Sequence, residues 1–448
     1  MSKNTPAGSM PANILANPGL AAEGNRKIEW VRRNMPILRG LEERFRAEQP
    51  FKGLRAAVSV HLEAKTAYLA LVLAAGGAEV AVTGSNPLST KDDVVAALAD
   101  RGLRVYAVHA AAKTEFNIHQ QTALEITPHI VIDDGGDLVH HLHEASAGYA
   151  GEVIGACEET TAGVLRNRAR QAAGKLKFPV IAVNDAYMKH LFDNRYGTGQ
   201  STMDAIMRTT NLLVTGTTVV VIGYGWCGRG IAARADGMGA RVIVCEVDEI
   251  KALEAAMDGY AVMPMAEAAD KGDYFISTTG VKNVITRDHM HSMKDGVVLA
   301  NAGYFYDEID LDGLAAAATE KVEVRENLTG YRLGDGSGDG RWINVIADGK
   351  IVNISAADGH PAEIMDTSFA IQALSAEYLV RRHASAANAP APSSPATAPS
   401  PAAPLPPEVL PVPVEIDYSV ARLRLQAMGI SHDHLTAEQK AYLKDFSK

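Results

Sequence analysis

Cysteine is scarce in this chain of 448 residues: Cys157, Cys227 and Cys245 are the full set. A small, odd number without paired spacing argues against a disulfide framework or a metal site built on thiolates, and for a reducing, cytoplasmic setting. Long hydrophobic runs are missing too. No apolar stretch reaches the ~18–20 residues of a membrane span, and Met1–Gly8 lacks the basic-then-apolar order of a secretory signal. Positive charge is in deficit, with 43 Lys and Arg against 53 Asp and Glu. The net charge of −10 argues against nucleic acid or an anionic membrane as the main partner. With 47% hydrophobic and 21% charged residues, the chain nonetheless has the balance of a globular protein rather than a disordered one.

What is present is an alternation. Short β-branched runs separated by helical patterns predict an α/β fold with parallel sheets. The expected strands are Ala56–Val60, Glu79–Thr83, Arg104–Val108, Ile130–Asp133, Val180–Asn184, Val219–Ile222, Val242–Glu246, Tyr274–Thr278 and Val297–Asn301. Proline is unevenly placed: the Ala/Ser/Pro-rich stretch Pro390–Pro413 has almost no charge and predicts an extended spacer. Beyond it, Val420, Leu423, Leu425 and Met428 predict a helix stopped by Gly429, and Thr436-Ala-Glu-Gln439 predicts a capping box. His140, His141 and His143 do not place two ligands at i, i+4 with a third nearby, so they predict a solvated helix and no metal site.

One segment carries a chemical signature. The strand run Thr218–Ile222 leads directly into Gly223-Tyr-Gly225-Trp226-Cys227-Gly228, then an apolar helical stretch, then Arg241–Cys245 with Glu246 at its end. Glycines there permit a tight turn, close approach to a pyrophosphate and helix–strand packing, with the helix N-terminus facing the phosphates. Glu246 suits the two ribose hydroxyls and repels a 2′-phosphate, so the expected cofactor is NAD.

Other motifs carry a resemblance. They include Asp133-Asp-Gly-Gly-Asp-Leu138, Glu158-Glu-Thr-Thr161, Val183-Asn-Asp185, Lys189 with Phe192-Asp-Asn194, Ser277-Thr-Thr-Gly280 and Gly359-His-Pro361. In order and spacing the chain resembles the S-adenosylhomocysteine hydrolase (adenosylhomocysteinase) family from about Lys27 to Phe369. The resemblance implies two Rossmann-like domains, a tightly held NAD and a homotetramer or homodimer. It also implies a reaction in which a ribose 3′-hydroxyl is oxidised to a ketone. The acidified C4′ hydrogen is removed, the 5′ substituent leaves, water adds and the ketone is reduced again.

Carried over residue by residue, the resemblance puts Lys189 and Asp193 at the 3′-hydroxyl and Glu159 on the ribose hydroxyls. Asp134 and His61 fall at the 5′ end. Thr160, Thr161, Asn194, the glycine loop, Glu246, Thr278, Thr279, Asn301 and Asn353 fall around the cofactor. His360 and Met365 line the nucleoside pocket. A lysine acts as a base only if burial or its neighbours lower its pKa. Taken singly, the Asp133–Asp137 acids also read as turn and cap residues and Lys189 as a solvated lysine.

Departures from the family pattern cluster at the substrate. His61-Leu-Glu63-Ala-Lys65-Thr66 puts Glu63 and Lys65 where the family has a hydroxyl and a group accepting from the adenine amino group. An ammonium cannot accept that bond, so either the base differs, or Thr66, His360 and backbone hold it while Lys65 pairs with an acid such as Glu63. Tyr304 and Tyr306 replace a histidine and an acid; a tyrosine is a donor rather than a neutral-pH proton shuttle. Ala162 replaces a third threonine, and Ala362-Glu363-Ile364 replaces Ser-Phe-Val. The tail resembles the family's C-terminal arm through Leu435–Gln439 and Tyr442, but stops at Lys448, before the usual final lysine–tyrosine segment.

The expectation is therefore an intact oxidation–elimination engine redirected to another nucleoside, for example dehydration to an exocyclic alkene as in angustmycin-type biosynthesis. A true S-adenosylhomocysteine hydrolase and a non-catalytic NAD-binding regulator are the alternatives. The expected domains are a substrate domain (12–194), an NAD-binding domain (195–355) and a substrate-domain return (356–384). A linker (385–414) and a helical tail (415–448) follow.

Overall fold

The computed structural model describes residues 12–304, 307–334, 340–387 and 404–444; Tyr306, Lys448 and most of the proline-rich stretch lie outside them. Two sheets dominate. The first is wholly parallel, in the order β15-β6-β5-β4-β1-β2-β3. Its strands are β1 Arg55–Val60, β2 Glu79–Gly84, β3 Arg104–Tyr106, β4 Ile130–Asp133, β5 Gly155–Glu158, β6 Val180–Ala182 and β15 Val409–Pro411. The second runs β12-β13-β14-β11-β10-β7-β8-β9. It comprises β7 Thr218–Ile222, β8 Arg241–Cys245, β9 Ala261–Val262, β10 Tyr274–Ser277, β11 Val297–Asn301, β12 Ala318–Arg325, β13 Leu328–Leu333 and β14 Arg341–Ile346. Here β14, β11, β10, β7, β8 and β9 are parallel, and β12 and β13 add an antiparallel edge. Strands such as Thr218–Ile222 are buried along their whole length because helices cover both faces, which is why they read as unbroken apolar runs rather than alternations.

All nine expected strands form. Arg104–Val108 and Val180–Asn184 are shorter than expected, the latter because the chain turns helical at Val183–Asp185. The helix Ala362–Ala387 returns to the first sheet and buries Phe369, Ile371, Ala373, Ala376 and Leu379 in that sheet's core. Asp366 on it accepts from the backbone of Ile37 and Leu38 at 3.0 and 2.8 Å, capping the helix Pro36–Glu48.

The end of the proline-rich stretch differs from a free spacer. Val409–Pro411 is the edge strand of the first sheet, pairing Val409 with Val180, Leu410 with Ile181 and Pro411 with Ala182. Proline is tolerated there because an edge strand has one unpaired side, and a proline on it blunts further pairing. The following helix, Val414–Ala427, buries Val420 in the same core. Gly429 ends that segment with φ +66, and the Thr436 capping box opens Ala437–Tyr442.

Candidate active site between the two sheets

The C-terminal ends of the strands of both sheets border one cavity of about 1300 Å³. His61 follows β1, Asp134 follows β4, Glu159 follows β5, Gly223 follows β7, Glu246 follows β8 and Thr278 follows β10. Loops past the carboxyl ends of parallel strands are where open α/β sheets bind ligands. The volume exceeds the few hundred to 1,000 Å³ of an ordinary small-molecule pocket, leaving room for a dinucleotide and a second ligand.

Lys189 sits where the chain winds into a wider π-helical turn over His190–Gly197. Such turns are rare and recur at functional sites. The turn brings three side chains together: Lys189 Nζ lies 3.1 Å from Asp193 Oδ1, 2.9 Å from Asn194 Oδ1 and 3.6 Å from Glu159 Oε1. Burial by itself lowers the lysine, but Asp193 and Glu159 outweigh it and hold Lys189 above an ordinary lysine. The lowering that a lysine base needs is therefore not supplied by these neighbours. Burial raises Asp193, yet Lys189 and then His360 pull its carboxyl well below the usual range. Glu159 is raised by burial against the pull of Lys189. Its oxygens accept from Ser368 and Gln372 on the returning helix. His360 Nδ1 lies 3.3 Å from Asp193, and its Nε2 is 3.2 Å from Thr198 Oγ1 and 3.3 Å from Asn353 Nδ2.

A second cluster lies across the cavity. Asp134 Oδ2 accepts from Ser85 at 2.9 Å and lies 3.5 Å from His61 Nε2, while His61 Nδ1 meets Ser89 Oγ at 2.8 Å. Asp134 Oδ1 is buried without a hydrogen-bond partner. Burial pushes Asp134 up to about 6 and, with His360 nearby, pulls His61 down to about 4. Tyr304 donates to the Asp134 carbonyl at 3.4 Å. The close approach requires glycine at 135, since a Cβ there would stand 1.7 Å from the tyrosine oxygen. Beneath, Glu158 accepts from Gly135 N and Thr160 N at 2.8 and 3.0 Å, tying the two loops together.

Glu63 caps the helix Ala64–Ala75 through the Lys65 amide at 3.1 Å. Lys65 Nζ bonds Glu63 at 2.8 Å and the Asp358 carbonyl at 3.1 Å, which uses two of its three N–H donors. Thr66 donates to the His61 carbonyl at 2.6 Å.

On the other side, Gly223 takes φ +98, and a Cβ at Gly228 would stand 1.9 Å from the Gly223 carbonyl oxygen, so the helix Trp226–Gly237 packs directly on the turn. A Cβ at Gly225 would meet nothing within 4 Å, which leaves its face open toward the cavity. Glu246 Oε2 accepts from Tyr224 N at 2.6 Å, and its Oε1 from Val247 N and Asp248 N. The Trp226 ring is fixed between the His190 ring at 5.1 Å and the Arg229 guanidinium at 4.6 Å. Thr160 caps the helix Thr161–Ala172. The Asn353 Oδ1 is buried without a partner, as a ligand-facing acceptor should be. The open glycine turn, the acid after β8 and this orphaned acceptor fit a dinucleotide.

Of the residues expected at the site, all but two line the cavity. Gly228 lies behind the turn. Asn301 stands outside the lining: its amide accepts from Ser277 Oγ and Gly303 N and donates to the Gly349 carbonyl, bracing the loops beside the cavity. Sequence reasoning missed Ser85, Ser89, Thr198, Ser368, Gln372 and Glu308. The last is buried and clamps Thr279 and Gly280 through their amides at 2.9 and 2.7 Å. No short motif marks these residues; they become visible only when distant segments meet. Among the described residues no His/Cys/Asp/Glu group could hold a metal ion. His141 and His143 bond Gln120 and the Val139 carbonyl instead. No helix among them is long and apolar enough to cross a membrane.

The fold and the glycine turn define a two-sheet α/β protein with a dinucleotide site opposite a cluster of buried titratable side chains. Residues 194–359 match the NAD binding domain of S-adenosyl-L-homocysteine hydrolase, and residues 13–153 match the S-adenosyl-L-homocysteine hydrolase family. Adenosylhomocysteinase of Pyrococcus abyssi is 53% identical over 427 residues, covering 95% of this chain and 96% of that protein. Adenosylhomocysteinase of Aquifex aeolicus is 51% identical over 428 residues, covering 95% and 97%. S-inosyl-L-homocysteine hydrolase of Methanocaldococcus jannaschii is 50% identical over 424 residues, covering 95% and 96%. The chain belongs to the S-adenosyl-L-homocysteine hydrolase family, and its cofactor is NAD.

Proposed function

We propose that the protein hydrolyses the thioether of an S-purine-nucleosyl-L-homocysteine, releasing homocysteine, and that its preferred base carries an acceptor at position 6, as hypoxanthine does. The names and similarity of the relatives support the thioether over the expected redirected dehydration. The observation carrying the base assignment is Lys65: buried, committed to Glu63 and Asp358 through two N–H bonds, and left with one donor for a ligand in the cavity. An ammonium donates to a 6-oxo group and cannot accept from a 6-amino group.

NAD, when bound, supplies a reversible acceptor for the hydride of the sugar carbinol. The protein's own residues move the protons, including the C4′ hydrogen that the ketone acidifies and whose electron pair expels the sulfur. Glu159 binds the ribose hydroxyls. Lys189 takes the 3′-hydroxyl proton after the sugar competes for the carboxylates that hold it as an ammonium, and Asp193 keeps it aimed. Asp134, with a pKa near 6 and a free oxygen, hands a proton to the departing sulfur, and neutral His61 serves the incoming water. Thr160, Thr161, Asn194, Glu246, Thr278, Thr279 and Asn353 surround the cofactor. The active species is a homo-oligomer; Val247 and Ile250, beside Glu246, are 96% and 78% exposed in the single chain and suit a covering copy.

Tyr304 at the 5′ end favours a second reading, elimination without water addition, because a phenol there donates but does not shuttle protons. Incubation with S-inosyl-L-homocysteine decides between them. Homocysteine together with inosine supports hydrolysis; a 4′,5′-unsaturated nucleoside as the final product overturns it.

A further inference from the structure

The helix Val414–Ala427 follows the proline-rich stretch and carries one buried acid outside the cavity lining, Asp417, 5% exposed. Its Oδ2 accepts from the Tyr187 amide at 2.6 Å and its Oδ1 from the Met188 amide at 2.7 Å. These are the two amides immediately before Lys189. They open the helical run Tyr187–Thr210, whose first N–H groups have no partner within the helix. Ala186, which precedes the run, has no side-chain acceptor to cap them. The cap therefore arrives from more than two hundred residues away. It is firmly seated, since Val420 on the same helix is fully buried and Val409–Pro411 just before it is paired to β6.

We propose that Asp417 is a positioning residue for catalysis: by clamping the Tyr187 and Met188 amides it fixes where Lys189 stands against Asp193 and Glu159. The lysine is the third residue of the run, so tilting the first turn swings its Nζ. A displacement of about 1 Å at a reacting group can cost on the order of a hundredfold in rate. The clamp also gives the segment after the prolines a task in this subunit's own site. The inference rests on the reading above that Lys189 takes the sugar's proton.

The groups facing Lys189 are Asp193 and Asn194 on its own run, Glu159 and Asp134 from the first sheet, and the Cys227 thiol from the second. His190, next on the run after Lys189, faces both Asp417 and Asp185. Loosening the clamp weakens the carboxylates' hold on the lysine, so the acid limb of the rate profile should move to lower pH.

The test uses the full-length, NAD-loaded enzyme and follows single-turnover reduction of the cofactor by inosine and by adenosine across pH. Asp417→Asn keeps the shape but turns an N–H toward one of the two amides. It should retain NAD, slow reduction about ten- to hundredfold, lower kcat more than it raises KM, and shift the acid limb downward. Val420→Ala, a packing change on the same helix, should lower Tm without moving the profile. A normal rate and profile in Asp417→Asn, even with a lower Tm, overturns the proposal. Should that variant not fold, Asp417→Glu, with both acceptors displaced by one methylene, is read by the same criteria. Lys189→Ala separates the two layers. Cofactor reduction in that variant refutes the base assignment itself; an inactive Lys189→Ala beside an unaffected Asp417→Asn refutes only the clamp.

Discussion

Replacing Asp134 with asparagine should make the protein more stable and less active at neutral pH. The carboxyl is 1% exposed, receives one side-chain hydrogen bond, from Ser85, and leaves Oδ1 unpartnered. Burial is the main reason its pKa rises from 3.8 to about 6; Ser85 and Lys189 offset only part of the cost. A raised carboxyl pKa means that the folded chain holds the proton more tightly than the unfolded chain. The group's contribution to stability is therefore most favourable below about pH 4 and is lost as pH rises through 6. A shift of roughly two units, at about 1.4 kcal/mol each, sets a ceiling near 3 kcal/mol, and about 1–3 kcal/mol is expected. Asparagine keeps an acceptor for Ser85 and removes the charge. Its advantage should appear in urea unfolding midpoints at pH 8 and close toward pH 4. Homocysteine release should fall by at least ~10²-fold, as loss of a positioned acid–base group does. A variant no more stable than the parent at pH 8, or equally stabilised at both pH values, would refute the argument that buried charge is held there at a cost.

Lys65→Gln exchanges an obligate donor for a side chain that also accepts. The preference for S-inosyl- over S-adenosyl-L-homocysteine in kcat/KM should fall about 10–100-fold, the worth of a charged hydrogen bond of ~1.5–3 kcal/mol; an unchanged ratio removes Lys65 from base recognition. Glu63 loses its ion pair in that variant, so Glu63→Gln/Lys65→Gln is the control that keeps the pocket neutral. Gly228→Ala places a methyl 1.9 Å from the Gly223 carbonyl and must open the turn. The purified variant should carry little NAD by absorbance after gel filtration, and full occupancy contradicts the assignment of that turn. Phe369→Ala removes a fully buried ring from the returning helix and should cost about 3–5 kcal/mol in urea unfolding.

The sequence was most legible where one local pattern sufficed. Thr218–Ile222, its glycine turn and Glu246 are contiguous, so strand, turn and acid announce one another. The nine strands with β-branched runs were equally plain. Gly155–Glu158 was not, because Gly-Ala-Cys-Glu has no β-branched residue and is a strand only through pairing with β4 and β6. The hairpin β12–β13 was hidden by the charges of Glu320, Lys321, Glu323 and Arg325, which line an exposed edge. Val409–Pro411 was masked by its prolines, since nothing local says that β6 offers it an edge. The site divides in the same way. Lys189, Asp193 and Asn194 lie on one turn, whereas Glu159, which adds to Asp193 in raising the lysine, and His360, which adds to Lys189 in lowering Asp193, converge only in three dimensions.

The central claim, thioether hydrolysis with a base that accepts from Lys65, is tested most directly by offering the NAD-loaded enzyme S-inosyl- and S-adenosyl-L-homocysteine separately. Free thiol and nucleoside are then measured together. Equimolar homocysteine and nucleoside are expected, with higher kcat/KM for the inosyl substrate. A higher kcat/KM for the adenosyl substrate contradicts the base assignment, and no thiol from either contradicts the hydrolase reading itself.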